Sequence, residues 1–378
     1  MKFSKTGMTR RLGMLTVCAG ALVGLSANGS LAADPVTLRI AADLTGPPHP
    51  AGIAMEYFKE RLAVEIPGSE VRTYFAGALY RIPEAIEAMT DGNLEMTWGQ
   101  FGKSSQIEPY ASVVIGPQLL TTPGAINSLD SFETFKMLQD RFAKVHDVKI
   151  FASAHLSMYM GAGAGFRLLK PEDFENRKIR SMGPAENAAL KAWGANPTTM
   201  AFGDVPPALQ TGVIDGLLTS LGGFNNTKEQ APYFTVAGIN GIVGDYYWIG
   251  ASLSWWNSLS DEQRTIIENL IVNDVIPFQK QMNWCNDRRL VDKFETKDPS
   301  KPGIYVMNAE ESGALRAKLG NATADWVKAN TPDDANPWVD RFIEEATAAT
   351  AANPMGSDPL ENTDCGEMAK YFAKYVKK

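Results

Sequence analysis

Between Val36 and Phe101 the hydrophobic period switches repeatedly from two residues to about four and back, and this alternation limits the possible folds more than any other feature. Residues 36–42, VTLRIAA, alternate apolar and polar side chains and read as a strand. After a loop over 43–50, Ala54, Phe58 and Leu62 recur at i, i+4 and i+8, giving a helix one buried face before Pro67-Gly68 stops it. Residues 70–75 read as a second strand, 83–89 as a second helix and 94–98 as a third strand. A βαβαβ series calls for a parallel sheet covered by helices, the α/β class. Ligands of such sheets sit beyond the carboxyl ends of the strands. Here those ends carry residues 43–49, 76–81 and 98–101. Trp98 and Phe101 stand at the third strand end beside polar Gln100, where an aromatic either fills the core or lines a cleft. His49, just before Pro50, has no partner for base catalysis and reads as a capping or packing residue.

Residues 1–33 read as an export signal. Lys2, Lys5, Arg10 and Arg11 precede a weakly apolar run over 12–27, and Ser30-Leu31-Ala32 supplies the small residues of a cleavage site. The run falls short of the roughly 20 residues a membrane span needs and is interrupted by glycines. Cys18 follows Val17, which is too large for a lipidation site. Arg10-Arg11 permits a twin-arginine route beside the ordinary secretory one. Removing those four charges from 36 Lys+Arg leaves 32 against 43 Asp+Glu, a net of −11. A nucleic acid or an anionic membrane surface needs a basic patch, so neither is expected as a partner, and no membrane insertion is expected once the signal is gone. The 378 residues less 33 leave 345, more than one typical domain, and two lobes are expected. Three histidines, His49, His146 and His155, show no metal-type spacing, so the reading includes no metal and no cofactor.

The stretch 173–220 gathers one internal arginine among short elements. Lys178-Ile179-Arg180 is strand-like, and 185–193 is a helix with Ala189 and Trp193 on one face and Gly194 at its left-handed cap. A second helix over 206–211 follows Asp204, then a turn and a short buried strand over 212–216. An arginine at a strand end offers paired coplanar donors to a carboxylate.

Three motifs in this order, KIR, WGANPTTMAF and ALQTGVIDG, resemble the signature region of the substrate-binding proteins of tripartite ATP-independent periplasmic (TRAP) transporters, the C4-dicarboxylate-receptor-like family. A looser resemblance runs from Val36 to the helices around Trp326. The resemblance implies a two-lobed periplasmic binding protein with mixed sheets flanked by helices and a long lobe-spanning helix. Lobe I would comprise 34–155 and about 243–300, lobe II 156–242, and 301–378 would be C-terminal helices and a tail packed on the lobes. It further implies a periplasmic receptor that performs no chemistry, closes on a small organic acid and is recognised by membrane permease subunits.

Carried over residue by residue, Arg180 matches the carboxylate-binding arginine, Phe202 an aromatic packed against the ligand, and Trp98 and Gln100 the ligand-facing strand end. Where many relatives have an asparagine after the DG pair, this chain has Thr219, which cannot reproduce a two-ended amide. Many relatives also carry an arginine on the crossing strand, near Tyr159 by register. Here only Arg167 is at hand, in the loop before Pro171, where a ligand contact competes with an exposed loop charge. In the aromatic run after Asp245, at least one of Tyr247 and Trp248 is expected in the cleft, where stacking is favourable. Strand signals fall at 233–237 and 241–243. A capping signal at Ser260 opens a long amphipathic helix to about residue 282, with a kink expected near Pro277. The remaining cysteines, Cys285 and Cys365, read as a disulfide that staples the C-terminal tail to the body. Competing readings are a receptor of another transport or sensory system with the same lobes, and a secreted hydrolase, for which no Gly-x-Ser-x-Gly elbow is present.

Overall fold

The computed structural model describes residues 33–332, 334 and 336–376; apart from Ala33, the expected export signal lies outside the described residues. Strand β1 (Thr37–Ala42) pairs in parallel with both β2 (Glu70–Tyr74) and β3 (Met96–Gln100), as the alternating periods require. Helices α1 (Pro50–Glu65) and α2 (Ile82–Thr90) form the crossovers, and the one-turn helix α3 (Phe101–Ser104) follows β3 directly. Leu38 and Ile40 of β1 and Phe58 and Leu62 of α1 are fully buried. Each contributes roughly 1.5–3 kcal/mol of hydrophobic stabilisation.

The chain then passes from one sheet to another within a few residues. Strand β4 (Val148–His155) belongs to the first sheet and β5 (Met160–Ala164) to the second, and every residue of β5 is buried, as its uncharged sequence requires. The second sheet gains β6 (Lys178–Ser181), β7 (Asn196–Thr199), β8 (Gly216–Ser220) and β9 (Tyr233–Val236). The chain returns through β10 (Tyr246–Ser252), which enters the first sheet antiparallel between β3 and β4. Strand β11 (Gly303–Val306) then closes the far edge of the second sheet. The strand orders are β2-β1-β3-β10-β4 and β11-β9-β5-β8-β6-β7.

Several elements differ from the sequence reading. Residues 241–243 are loop, and the strand lies instead at β10, whose residues are buried on both faces and so lack the alternation that marks a half-buried strand. A strand, β11, occupies the segment expected to hold only helices and tail. In the helix Glu133–His146, Phe135, Leu138 and Phe142 form the inner face and Met137 is 45% exposed.

The long helix runs as Asp261–Leu270, a π-helical turn at Ile271–Val275 and a further Ile276–Phe294, well beyond the expected end. Its capping box is complete, with Ser260 Oγ accepting from Gln263 N at 3.2 Å and Gln263 Oε1 accepting from Ser260 N at 2.7 Å. The irregularity precedes Pro277, whose ring opposes the carbonyl four residues earlier; the wider turn takes up that conflict and the helix continues. Cys285 on this helix and Cys365 form a disulfide with Cα atoms 5.3 Å apart. The bond holds the last helix, Cys365–Val376, where Tyr371 packs edge-on against Phe278 at 4.8 Å and Tyr375 Oη donates to Glu60 of α1 at 2.9 Å.

Candidate functional site

The carboxyl ends of β1 and β3 from the first sheet meet those of β6 and β8 from the second around one small cavity. Asp43 and His49 follow β1, Gln100 ends β3, Lys103 lies on α3 and Tyr247 on β10; opposite them stand Arg180 of β6, Thr219 of β8 and Phe202. Gln100, Lys103, Arg180, Thr219 and Tyr247 are all nearly inaccessible, whereas Phe202 is half-buried and Asn226 exposed, so the cavity is deep and open on one side. Two segments touch closely at its floor: a Cβ on Gly183 would lie 1.9 Å from the carbonyl oxygen of Gly102. At the rim Arg81 and Asp204 approach to 3.6 Å, an exposed pair that contributes little.

Arg180 is held by main chain alone. Its Nε donates to Met200 O and its Nη1 to Leu218 O, each at 3.0 Å, and its Cζ lies 6.0 Å from the ring centre of Phe202. Burial pulls its pKa down to about 10, against the opposing pull of Glu186, Asp245 and Asp43. Among the described residues no carboxylate makes an ion pair with it. A buried cation without a counter-ion is costly unless something supplies the missing charge.

The surrounding acids are arranged unevenly. Asp43 Oδ2 accepts from Lys103 Nζ at 2.7 Å, while its Oδ1 has no partner. Burial lowers the pKa of Lys103, with Asp43 opposing the shift. Glu186 Oε2 accepts from Met182 N at 2.6 Å, and burial, reinforced by Asp245, raises its carboxyl to about 8. Asp245 Oδ1 accepts from Gly102 N and Tyr246 N, and burial raises it to about 7.

His49 caps α1 through Nδ1, which accepts from Ala51 N at 3.2 Å, in keeping with the capping role read from the sequence. Burial lowers its pKa to about 4, so the ring is neutral and its proton sits on Nε2. That nitrogen lies 3.4 Å from Tyr247 Oη and donates to it, which leaves the phenol proton facing the cavity.

The expected site residues divide into two groups. Gln100, Arg180, Phe202, Thr219 and Tyr247 line the cavity. Trp98 does not: it is fully buried beneath, donating from Nε1 to Gln279 Oε1 at 2.8 Å and packing on Phe58. Trp248 is also elsewhere, because consecutive strand residues point to opposite faces and Tyr247 takes the cavity side. Its indole donates to Ser104 Oγ at 3.0 Å and covers Gly99, where a Cβ would lie 2.1 Å from the ring. Arg167 is neither a cavity residue nor an exposed loop charge. It donates to the carbonyls of Phe234, Pro299, Lys301 and Gly303 between the rings of Tyr233 and Tyr305, tying β9 to β11. Sequence reasoning passed over Asp43, Lys103, Glu186 and Asp245 as site residues. Asp43 and Lys103 could have been found from their places just past strand ends.

Residues 41–329 match the family described as bacterial extracellular solute-binding protein, family 7. The chain belongs to that family, the substrate-binding receptors of TRAP transporters. Family 7 receptors are binding proteins rather than enzymes, they work with membrane permease components, and this member is periplasmic. The chain is 28% identical over 349 residues to the C4-dicarboxylate-binding periplasmic protein DctP of Rhodobacter capsulatus, covering 86% of this chain and 100% of that one. It is 32% identical over 154 residues to the ectoine-binding periplasmic protein TeaA of Halomonas elongata, a match spanning 39% of this chain and 43% of the relative. In fold it is similar to the sugar acid binding protein of Advenella mimigardefordensis solved with galactonate, with TM-score 0.74, 20% identity, and coverage of 84% of this chain and 100% of that one.

Proposed function

We propose that this family 7 receptor captures a small organic acid by its carboxylate on Arg180 and presents the closed, loaded form to the permease subunits of a TRAP transporter. The single observation that carries the reading is Arg180 itself: a buried guanidinium, fixed by two main-chain carbonyls, facing a cavity and lacking a protein carboxylate. A ligand carboxylate supplies the missing charge. Gln100, Thr219 and the phenol of Tyr247 hydrogen-bond the remainder of the ligand, and Phe202 covers its apolar surface. The cavity draws its walls from both sheets, so a ligand bound there bridges them and favours the shut form over an open one. The relatives named above bind C4-dicarboxylates and ectoine, and the fold neighbour was solved with galactonate, which supports an organic acid without fixing its identity.

The test is a thermal-shift screen over mono-, di-, keto-, sugar and aromatic acids on the wild-type protein and on Arg180→Ala. Ligand at 100 times its Kd stabilises the native state by about 2.7 kcal/mol, and that increment should vanish in the variant. Stabilisation of Arg180→Ala by the same acid would overturn the anchor assignment.

A further inference from the structure

Asp43 and Lys103 form a buried ion pair on the cavity wall, and neither is used up by it. Asp43 is 8% exposed and its Oδ1 accepts no hydrogen bond; Lys103 is 5% exposed and its Nζ donates to Asp43 Oδ2 alone among the described residues. A lysine ammonium carries three donors, so two remain. A buried, unpartnered carboxylate oxygen beside spare ammonium protons is the complement of one chemical group, a hydroxyl, which donates to the first and accepts from the second. Asp43 and Lys103 also line a second cavity, so the pair stands in the wall that the two share.

Resting on the Arg180 reading, we propose that the Asp43–Lys103 pair reads a hydroxyl of the ligand, so that the acid taken is a hydroxylated monocarboxylate of the sugar-acid class.

The pairing of the cations agrees. Lys103 already has Asp43 as its ion-pair partner, whereas Arg180 has none among the described residues. One ligand carboxylate therefore suffices. A second carboxylate would stand against Asp43, and like charges brought together in a dry site are strongly disfavoured. An ammonium in place of the hydroxyl would stand against Lys103. A hydroxyl gives the buried Asp43 Oδ1 the donor it lacks, whereas an unhydroxylated acid leaves it unpartnered, and sites built to bond a hydroxyl reject analogues that lack it.

The experiment is calorimetric titration of the wild-type protein with D-gluconate, D-galactonate and D-glucuronate, against hexanoate and succinate. At least one sugar acid should bind roughly 100-fold or more tightly than hexanoate and succinate. Asp43→Asn should weaken that sugar acid by about 10- to 100-fold and narrow the gap to succinate, since it removes the repelling charge. Because Asp43→Asn leaves Lys103 buried without its partner, the double variant Asp43→Asn/Lys103→Met serves as the folded comparison and should lose the preference for the hydroxylated acids. Hexanoate or succinate binding within about threefold of the best sugar acid overturns the inference. So does unchanged sugar-acid affinity in Asp43→Asn. If those results come with binding abolished in Arg180→Ala, the receptor reading stands; if no acid in the panel binds, the sugar-acid inference falls and the receptor reading is decided by the wider screen.

Discussion

Lys103 Nζ lies 2.7 Å from Asp43 Oδ2, joining the turn after β3 to the end of β1 by a buried ion pair. Both residues owe their positions to the parallel arrangement of those strands, which brings their carboxyl ends side by side. Arg180, arriving from the other sheet, faces the same space. The cavity is thus built where two sheets present their strand ends to each other, and each element's role can be tested separately.

Trp98 and Tyr247 should separate stability from binding. Trp98→Phe removes the indole donor and leaves Gln279 Oε1 buried without its partner, which should lower the free energy of unfolding by about 1–3 kcal/mol in urea titrations. Its affinity for the cognate acid should remain within about twofold of wild type. Tyr247→Phe, which removes a cavity-facing hydroxyl that also accepts from His49 Nε2, should weaken binding by roughly tenfold. A large affinity loss in Trp98→Phe would place that indole in the ligand's reach after all.

Stability should fall as pH rises from about 6.5 to 8. Glu186 and Asp245 have folded-state pKa values raised to about 8 and about 7, and Asp287 is raised to about 7, all chiefly by burial. A carboxyl whose folded value is raised binds its proton more tightly when folded, so its contribution is complete below the ordinary carboxyl range and is lost as pH climbs through the folded value. His49 and His155, lowered to about 4 and about 3 by burial, act oppositely but only below the ordinary imidazole value. Above about pH 6.5 the imidazoles no longer contribute, and the acids' share of the loss should be on the order of 2 kcal/mol; Lys103, lowered by burial, acts in the opposite sense as pH climbs through its folded value. Urea midpoints measured at pH 6.5, 7, 7.5 and 8 should show the decline and a shallower one in Glu186→Gln. Equal slopes in the two proteins would remove Glu186 as a cause.

Gly183→Ala should impair binding without touching the ligand. The added Cβ would meet Gly102 O at 1.9 Å, and since that backbone is extended at Gly183 the conflict lies wholly between the two segments. They must separate, which opens the floor of the cavity. Ligand-induced compaction measured by small-angle scattering should be reduced, and affinity should fall by about tenfold or more. Wild-type compaction in the variant would mean that the two segments part during closure.

Breaking the Cys285–Cys365 bond should cost about 2–4 kcal/mol of stability, because it closes a loop across a sequence separation of 80 residues. Cys285→Ala/Cys365→Ala, compared with wild type by thermal unfolding in the presence and absence of reductant, should match the reduced wild-type protein and be insensitive to reductant. Peptide mapping of non-reduced protein should recover the two cysteines in one linked fragment.

Legibility in the sequence followed exposure to simple periodic rules. The β1–α1–β2–α2–β3 series was readable because β1 alternates and the helices repeat apolar residues on their own period, although β3 itself is buried throughout. Arg180, Thr219 and Phe202 were readable through the motifs around them, and Gln100 through its place at a strand end. β10 was not, since YYWIGAS is buried on both sides and shows no period. Its misreading also blurred Tyr247 and Trp248, whose fates are decided only by which face of that strand each occupies. Arg167 was misjudged because its four carbonyl partners lie far along the chain, and nothing local announces them. Asp43 and Lys103 are separated by 60 residues, and only the pairing of β1 with β3 makes them neighbours.

The insertion of β10 also sets an order on how the chain can fold. In the first sheet β4 hydrogen-bonds to β10 alone, and β3 meets β4 only through it. A nascent chain that has emerged only as far as β9 therefore holds β3 and β4 with open edges and no common neighbour. The first sheet cannot be completed until residue 252 is available. For a protein that crosses a membrane before it works, that delay keeps the leading part of the polypeptide threadable until most of it has been made.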